Sequence, residues 1–144
     1  MTNEIYGIDY LRRRLADKQT RVLLRYKYYE MKNNAQDFSS LAPEKFKGLK
    51  ETVGWCAKAV DSLADRLQFD EFQNDEFNLS EIFLSNNQDI LIDSAVLSAL
   101  ISACSFVYIR EDNGYPRLQV IDGSNATGII DPVTNLLTEG YAVL

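Results

Sequence analysis

Apolar residues recur at helical spacing along the first two-thirds of the chain and at alternating spacing thereafter. Helices first and strands after predict an α+β domain. We expect three main helices within residues 1–104, then a small, mainly antiparallel sheet over 105–144. The first helix is predicted over 9–32, where Ile8, Leu11, Leu15, Val22, Tyr26 and Tyr29 share one side. Residues 33–42 are polar and read as a linker. Pro43 suits a first helical turn, Glu44 favours the positive end of the helix dipole, and Gly48 can delay the start. The firm part of this second helix runs from Val53 to Leu67. Val53, Cys56, Val60, Leu63, Ala64 and Leu67 form its expected core stripe, while Trp55, Ala59, Ser62 and Arg66 lie on another face.

Phe69 to Phe77 alternates three aromatic rings with acids and reads as an extended piece anchored by its rings, with a short helix near Ser80 to Leu84. A third main helix starts at a cap from Asn87 or Asp89 and runs to Ala103. It is apolar nearly all round, and Ser94, Ala95, Ser98, Ala99, Ser102 and Ala103 permit close backbone approach. Such a helix belongs in the centre, covered on several faces. Phe106–Ile109 and Leu118–Ile121 then flank Asn113-Gly114, a strong hairpin signal because both turn residues accept positive φ. Thr127–Ile130 reads as a third strand, Asp131–Asn135 as a turn, and Leu136–Leu144 as the start of a returning strand. The last residues, Tyr141-Ala-Val-Leu144, lie within an apolar run, and we expect the sequence to be the front piece of a longer chain.

Charge changes the picture for the first helix. Residues 1–32 hold eight of the 15 Lys/Arg and four of the 21 Asp/Glu, a local +4, while the remainder carries −10. Arg14, Lys18, Arg21, Arg25 and Lys32 recur at steps of three, four and seven and share one flank. Asp17 and Glu30 fall on other faces and Asp9 at the start. Like charges at these spacings weaken an isolated helix by about 0.2–0.5 kcal/mol per pair, so the flank reads equally as a solvated face and as one that meets an acidic partner. A protein surface, including a second copy of this acidic chain, is favoured over DNA. Trp55, off its helix's main stripe, calls for a second packing partner, with another element of this chain favoured over another subunit.

The chain of 144 residues is 46% hydrophobic and 25% charged, enough for one folded domain. It contains no histidine, which removes Ser-His-Asp and Cys-His catalysis and HExxH zinc sites. Asp61 with Asp65, or Asp70, Glu71, Asp75 and Glu76, are the only acids to nominate for metal-assisted chemistry. Their spacing lacks the calcium-loop pattern, and Asp61 and Asp65 belong to the expected polar side of their helix. No enzyme activity, cofactor or metal is expected. Cys56 and Cys104 have no CxxC partner and read as core thiols in a reducing compartment. The longest apolar stretch, Ile90 to Val107, is interrupted by Asp93 and serines, so no membrane span is expected. The N-terminus carries no apolar leader, and a cytosolic origin is expected.

The order of these pieces resembles siphophage-type portal proteins of tailed bacteriophages. It comprises an Arg/Tyr-rich helix ending in Tyr28-Tyr29, the Trp55–Leu67 segment (WCAKAVDSLADRL), a small-residue helix Ala95–Ile109 running into Ser-Phe-Val-Tyr-Ile, and the Ile130-Asp131-Pro132 turn. Trp55–Leu67 is the most specific part, and the likeness spans nearly the whole chain. The resemblance implies a wing-like portion of a subunit that forms a ring, commonly of twelve, at one capsid vertex. It implies contacts with identical copies and with capsid and scaffolding proteins, carried by Arg14, Lys18, Arg21, Arg25, Lys32, Trp55 and Arg66. Terminase and head–tail adaptors would dock on parts beyond this chain, and stem and clip are not in it. DNA would pass through the complete ring without necessarily touching this piece. The implied location is the virion, after assembly in the host cytoplasm. Two departures stand out: the chain is too short to build a channel, and Ala103-Cys104 replaces a glycine common before the Ser-Phe-Val strand. The alternative is a stand-alone phage-encoded adaptor derived from such a fragment.

Overall fold

The computed structural model describes residues 5–32 and 54–144. The expected linker 33–42, the helix start at Pro43 to Gly48, and Val53 lie outside them. Four helices, α1 (Ile8–Tyr29), α2 (Trp55–Ala64), α3 (Leu79–Ser85) and α4 (Gln88–Ser102), precede four strands, β1 (Ser105–Asp112), β2 (Tyr115–Asp122), β3 (Ala126–Ile130) and β4 (Leu137–Ala142). The class is α+β, as the periodicities predict.

The strands form two separate two-stranded antiparallel sheets, β1–β2 and β3–β4, where one sheet was expected. The reason lies at the β2–β3 turn. Ser124 N–H donates to Asp122 Oδ1 at 2.5 Å, and Asn125 N–H to the Asp122 carbonyl at 3.1 Å. This tight turn sends β3 away to pair with β4, in register Thr127↔Tyr141 and Gly128↔Gly140. Gly123 in the same turn passes close to the end of α4, where a Cβ would come within 2.7 Å of Ser102 Oγ. The β1–β2 hairpin closes at Asn113-Gly114 with φ of 53° and 82°, and Asp112 stands opposite Tyr115. This is the turn chemistry the Asn-Gly pair encodes. At the other hairpin, Asp131 accepts from Val133 N–H at 2.7 Å and from Thr134 N–H at 3.3 Å, so the predicted turn forms.

The core draws on four of the eight described elements. Leu11, Leu15 and Val22 of α1, Leu91 and Ile101 of α4, Ile121 of β2 and Ala126 of β3 are buried. The predicted α1 stripe is therefore correct at its centre, with Tyr26 and Tyr29 half-buried, but Ile8 is 54% exposed. Helix α1 also ends earlier than expected, and Met31 takes φ of 57° beyond it. As predicted, α4 is central: it packs on α1, α2, α3, β1 and β2. Its Ser98 and Ser102 are buried, and the Ser102 hydroxyl donates to the Ser98 carbonyl at 2.7 Å while accepting Gly123 N–H at 3.2 Å. Asn87 occupies the α4 N-cap with φ of 54° but makes no side-chain capping bond.

The N-terminus of α1 is capped from the far end of the chain. Glu139 on β4 accepts Tyr6 N–H at 2.8 Å and Gly7 N–H at 2.9 Å, satisfying amide groups at the positive end of the helix dipole. The Arg12 guanidinium sits 5.8 Å from the Tyr141 ring centre, and Gln19 Nε2 donates to the Ser124 carbonyl at 3.3 Å. These contacts seat the β3–β4 hairpin along α1. Phe69 and Phe72 anchor the loop before α3 on Phe83, with ring centres 4.8–6.4 Å apart. Phe77, the third ring of that segment, stays 79% exposed.

Candidate interaction surface

The cationic flank predicted on α1 divides into two groups. Arg14, Arg21 and Arg25 are exposed and form no ion pair with any described acid. Tyr10 and Tyr28, 44% and 48% exposed, lie on the same flank toward its two ends. Lys18 is turned inward instead. Its ammonium donates to Cys104 Sγ at 3.5 Å and lies 5.5 Å from the Phe106 ring centre, so it joins α1 to β1. Lys32 does not belong to the flank, because α1 ends at Tyr29. It pairs with Glu30 at 2.6 Å, a local acid that helical geometry would have placed on another face. The partner surface on α1 is thus three arginines bracketed by two phenols.

Arg25, Tyr28 and Tyr29 form one wall of an open groove of about 520 Å³, with Cys56 and Val60 of α2 and Leu100 and Ile101 of α4 opposite. Cys56 is exposed and Cys104 half-buried, which corrects the expectation that both are core thiols. The same correction applies to all of α2. No residue of this helix is buried, and Leu63 and Leu67 of the predicted stripe are 49% and 47% exposed. The more covered positions are Ala57, Val60, Asp61 and Ala64. The helix has rotated so that Asp61, expected on the polar side, accepts the Tyr29 hydroxyl at 2.8 Å. This bond and burial hold the Tyr29 phenol above its ordinary 10.0, because its neutral form is the donor. Burial likewise raises Tyr26, helped by the nearby Asp122 carboxylate.

Trp55, the first residue of α2, is 79% exposed, so no described element covers it as the favoured reading of the sequence expects. Arg66 is exposed and lies past the end of α2, in a turn where its N–H donates to the Leu63 carbonyl at 3.2 Å. It is therefore not on the helical face it was expected to share with Trp55.

The nominated acids divide by role. Asp75 accepts Leu79 and Ser80 N–H at 2.6 and 2.8 Å, and these bonds at the start of α3 lower its pKa. Asp61 and Asp65 share a groove with Asp93 beside Val96 and Leu97. Among the described residues, no group of three or more Cys, Asp or Glu is placed to hold a metal ion, and no helix is long and apolar enough to cross a membrane.

Sequence reasoning missed the two polar clamps, Glu139 on α1 and Asn86 on β2. Glu139 lies 132 and 133 residues from its partners, a separation that no local pattern encodes. The sequence matches no protein-family model and no curated protein.

Proposed function

We propose that this chain is a structural subunit of the portal ring of a tailed bacteriophage, placed in the wing part that contacts neighbouring copies and the capsid. One observation carries the reading: α2, the helix within the segment most specific to the portal resemblance, buries none of its side chains and presents Trp55 at 79% exposure. Against the described elements a helix with the apolar content of WCAKAVDSLA leaves much of its apolar surface exposed, so further stabilisation is expected at an interface. The exposed Arg14, Arg21 and Arg25 supply the charged part of that contact, with the acidic body of a neighbouring copy or a shell protein as counterpart. In this reading the subunit makes and breaks no bonds. The complete ring passes DNA, docks terminase and head–tail adaptors through segments outside this chain, and resides in the virion after assembly in the host cytoplasm.

Native mass spectrometry and electron microscopy of the whole gene product test the reading. Closed multimers, about twelve subunits by resemblance, are expected. The double reversal Arg21→Glu with Arg25→Glu should deplete those multimers while leaving the melting temperature of the domain nearly unchanged. A product that remains a monomer, or a reversal that lowers melting and assembly equally, defeats the proposal.

A further inference from the structure

The two strands of the β1–β2 hairpin differ at their outer edges. On β2, the Asn86 side chain lies along the strand: its Nδ2 donates to the Pro116 carbonyl at 3.0 Å and its Oδ1 accepts Leu118 N–H at 2.9 Å. The Arg117 guanidinium donates to the Ser85 carbonyl at 3.2 Å beside it. One amide side chain therefore imitates a third strand and closes this edge, and Pro116 has no N–H to offer there.

Register then fixes what β1 turns outward. Pro116 and Leu118, whose backbone faces Asn86, stand opposite Glu111 and Ile109. In an antiparallel pair, opposed residues either exchange hydrogen bonds or both turn away. Glu111 and Ile109 thus direct their N–H and C=O groups to the outer edge, and Val107 and Ser105 do the same by the two-residue period. No described strand pairs with this edge. Val107, Tyr108 and Ile109 are 46%, 38% and 65% exposed, and the β1–β2 register contains no bulge. The stretch Ser105–Ile109 contains no proline or lysine. The usual devices that blunt a free edge are absent from the Ser105–Ile109 part of β1, its charges being confined to Arg110–Asp112, and are present on β2.

We propose that the β1 edge pairs antiparallel with β1 of a second copy, about a two-fold axis at Tyr108. The outward-facing positions 105, 107, 109 and 111 are symmetric about residue 108. In this register Val107 meets the partner's Ile109, Ser105 meets the partner's Glu111, and Phe106 meets the partner's Arg110. Apolar residues then oppose apolar ones, and no like charges face each other. Moving the axis to Ile109 would set Glu111 against the partner's Val107. Moving it to Arg110 would oppose two arginines, although Arg110 already stands opposite Arg117 within its own hairpin. The result is a continuous four-stranded sheet, β2–β1–β1–β2. This contact is isologous and separate from the ring contact, which must join unlike surfaces, so it stands or falls independently of the portal reading.

Sedimentation velocity over a concentration series tests it on the full chain. A dimer is expected, and Ile109→Pro, which removes an outward N–H and leaves the hairpin's own bonds in place, should weaken it at least tenfold with an unchanged circular dichroism spectrum. Cysteine capture checks the register in a Cys56→Ser background. Tyr108→Cys brings two Cα atoms to about 4.5 Å across the axis, within disulfide reach, and should cross-link under mild oxidation. Glu111→Cys faces serine and should not. A chain that stays monomeric at every concentration overturns the proposal, as does equal cross-linking of the two cysteine variants. Protection of the Val107 and Ile109 amides from hydrogen exchange in the monomer also overturns it, because another segment would then hold the edge.

Discussion

Helices α1 and α2 carry similar apolar stripes, yet only the first buries any of its residues. The first buries Leu11, Leu15 and Val22, is capped by Glu139, and is tied to β1 through Lys18. The second buries none of its side chains and, among the described residues, its one side-chain hydrogen bond to another element is the Tyr29–Asp61 bond. Periodicity alone ranks them in the wrong order, because the cleaner stripe belongs to α2. A stripe records which face a helix can bury. Whether this chain supplies a cover is decided by what packs opposite. For α1 that cover is α4 with the β3–β4 hairpin. For α2 it is α1 and α4, which among the described elements leave every one of its side chains at least partly exposed.

The largest test of this difference compares two leucine truncations. Leu15→Ala, at 5% exposure, should cost about 2–5 kcal/mol in urea unfolding. Leu63→Ala, at 49% exposure, should stay within about 0.5–1 kcal/mol. Equal losses would show α2 to be as well anchored as α1. Next comes the cap: Glu139→Gln turns one of the two accepting oxygens into an NH2 group that cannot accept, so one bond is lost and the other loses its charge, and it should destabilise by about 1–2 kcal/mol. An unchanged midpoint would mean that water serves the Tyr6 and Gly7 amides equally well.

A smaller effect of opposite sign is expected where α4 hands the chain to β1. Ala103 sits at φ of 68°, a conformation that disfavours any residue bearing a Cβ. Ala103→Gly relieves this strain at some entropic cost in the unfolded chain, for a net gain of about 0.5–1 kcal/mol. Destabilisation on this change would mean that the alanine methyl packs usefully in the groove beside α2. The smallest effect concerns α3. Its capping carboxylate, Asp75, has a folded-state pKa below the ordinary 3.8. The associated stability is therefore present above pH 3.8 and is lost as pH falls through the lower folded value. A pH titration of Asp75→Asn against the parent should converge at the acid end. Parallel curves would remove Asp75 from the cap.

Much of this protein is readable in its residue order. The helix-to-strand transition follows the change of period near residue 104, α4 is central because it is apolar on nearly every side, and Asn113-Gly114 sets the first hairpin. The cationic flank of α1 was legible as a pattern, but its composition was not. Spacing cannot tell that Lys18 turns toward Cys104 or that Lys32, beyond the helix end, takes Glu30.

The rest was decided only in three dimensions. Glu139 caps α1, Asn86 closes one sheet edge while no described strand pairs with the outer edge of β1, and the strands divide into two hairpins. Local order determines backbone propensity and the face a segment prefers, since both depend on neighbours within a turn or two of the chain. Which polar side chain satisfies a distant amide, and which apolar face remains uncovered, depends on elements brought together from opposite ends. Those outcomes depend on tertiary packing because the partners share no sequence neighbourhood.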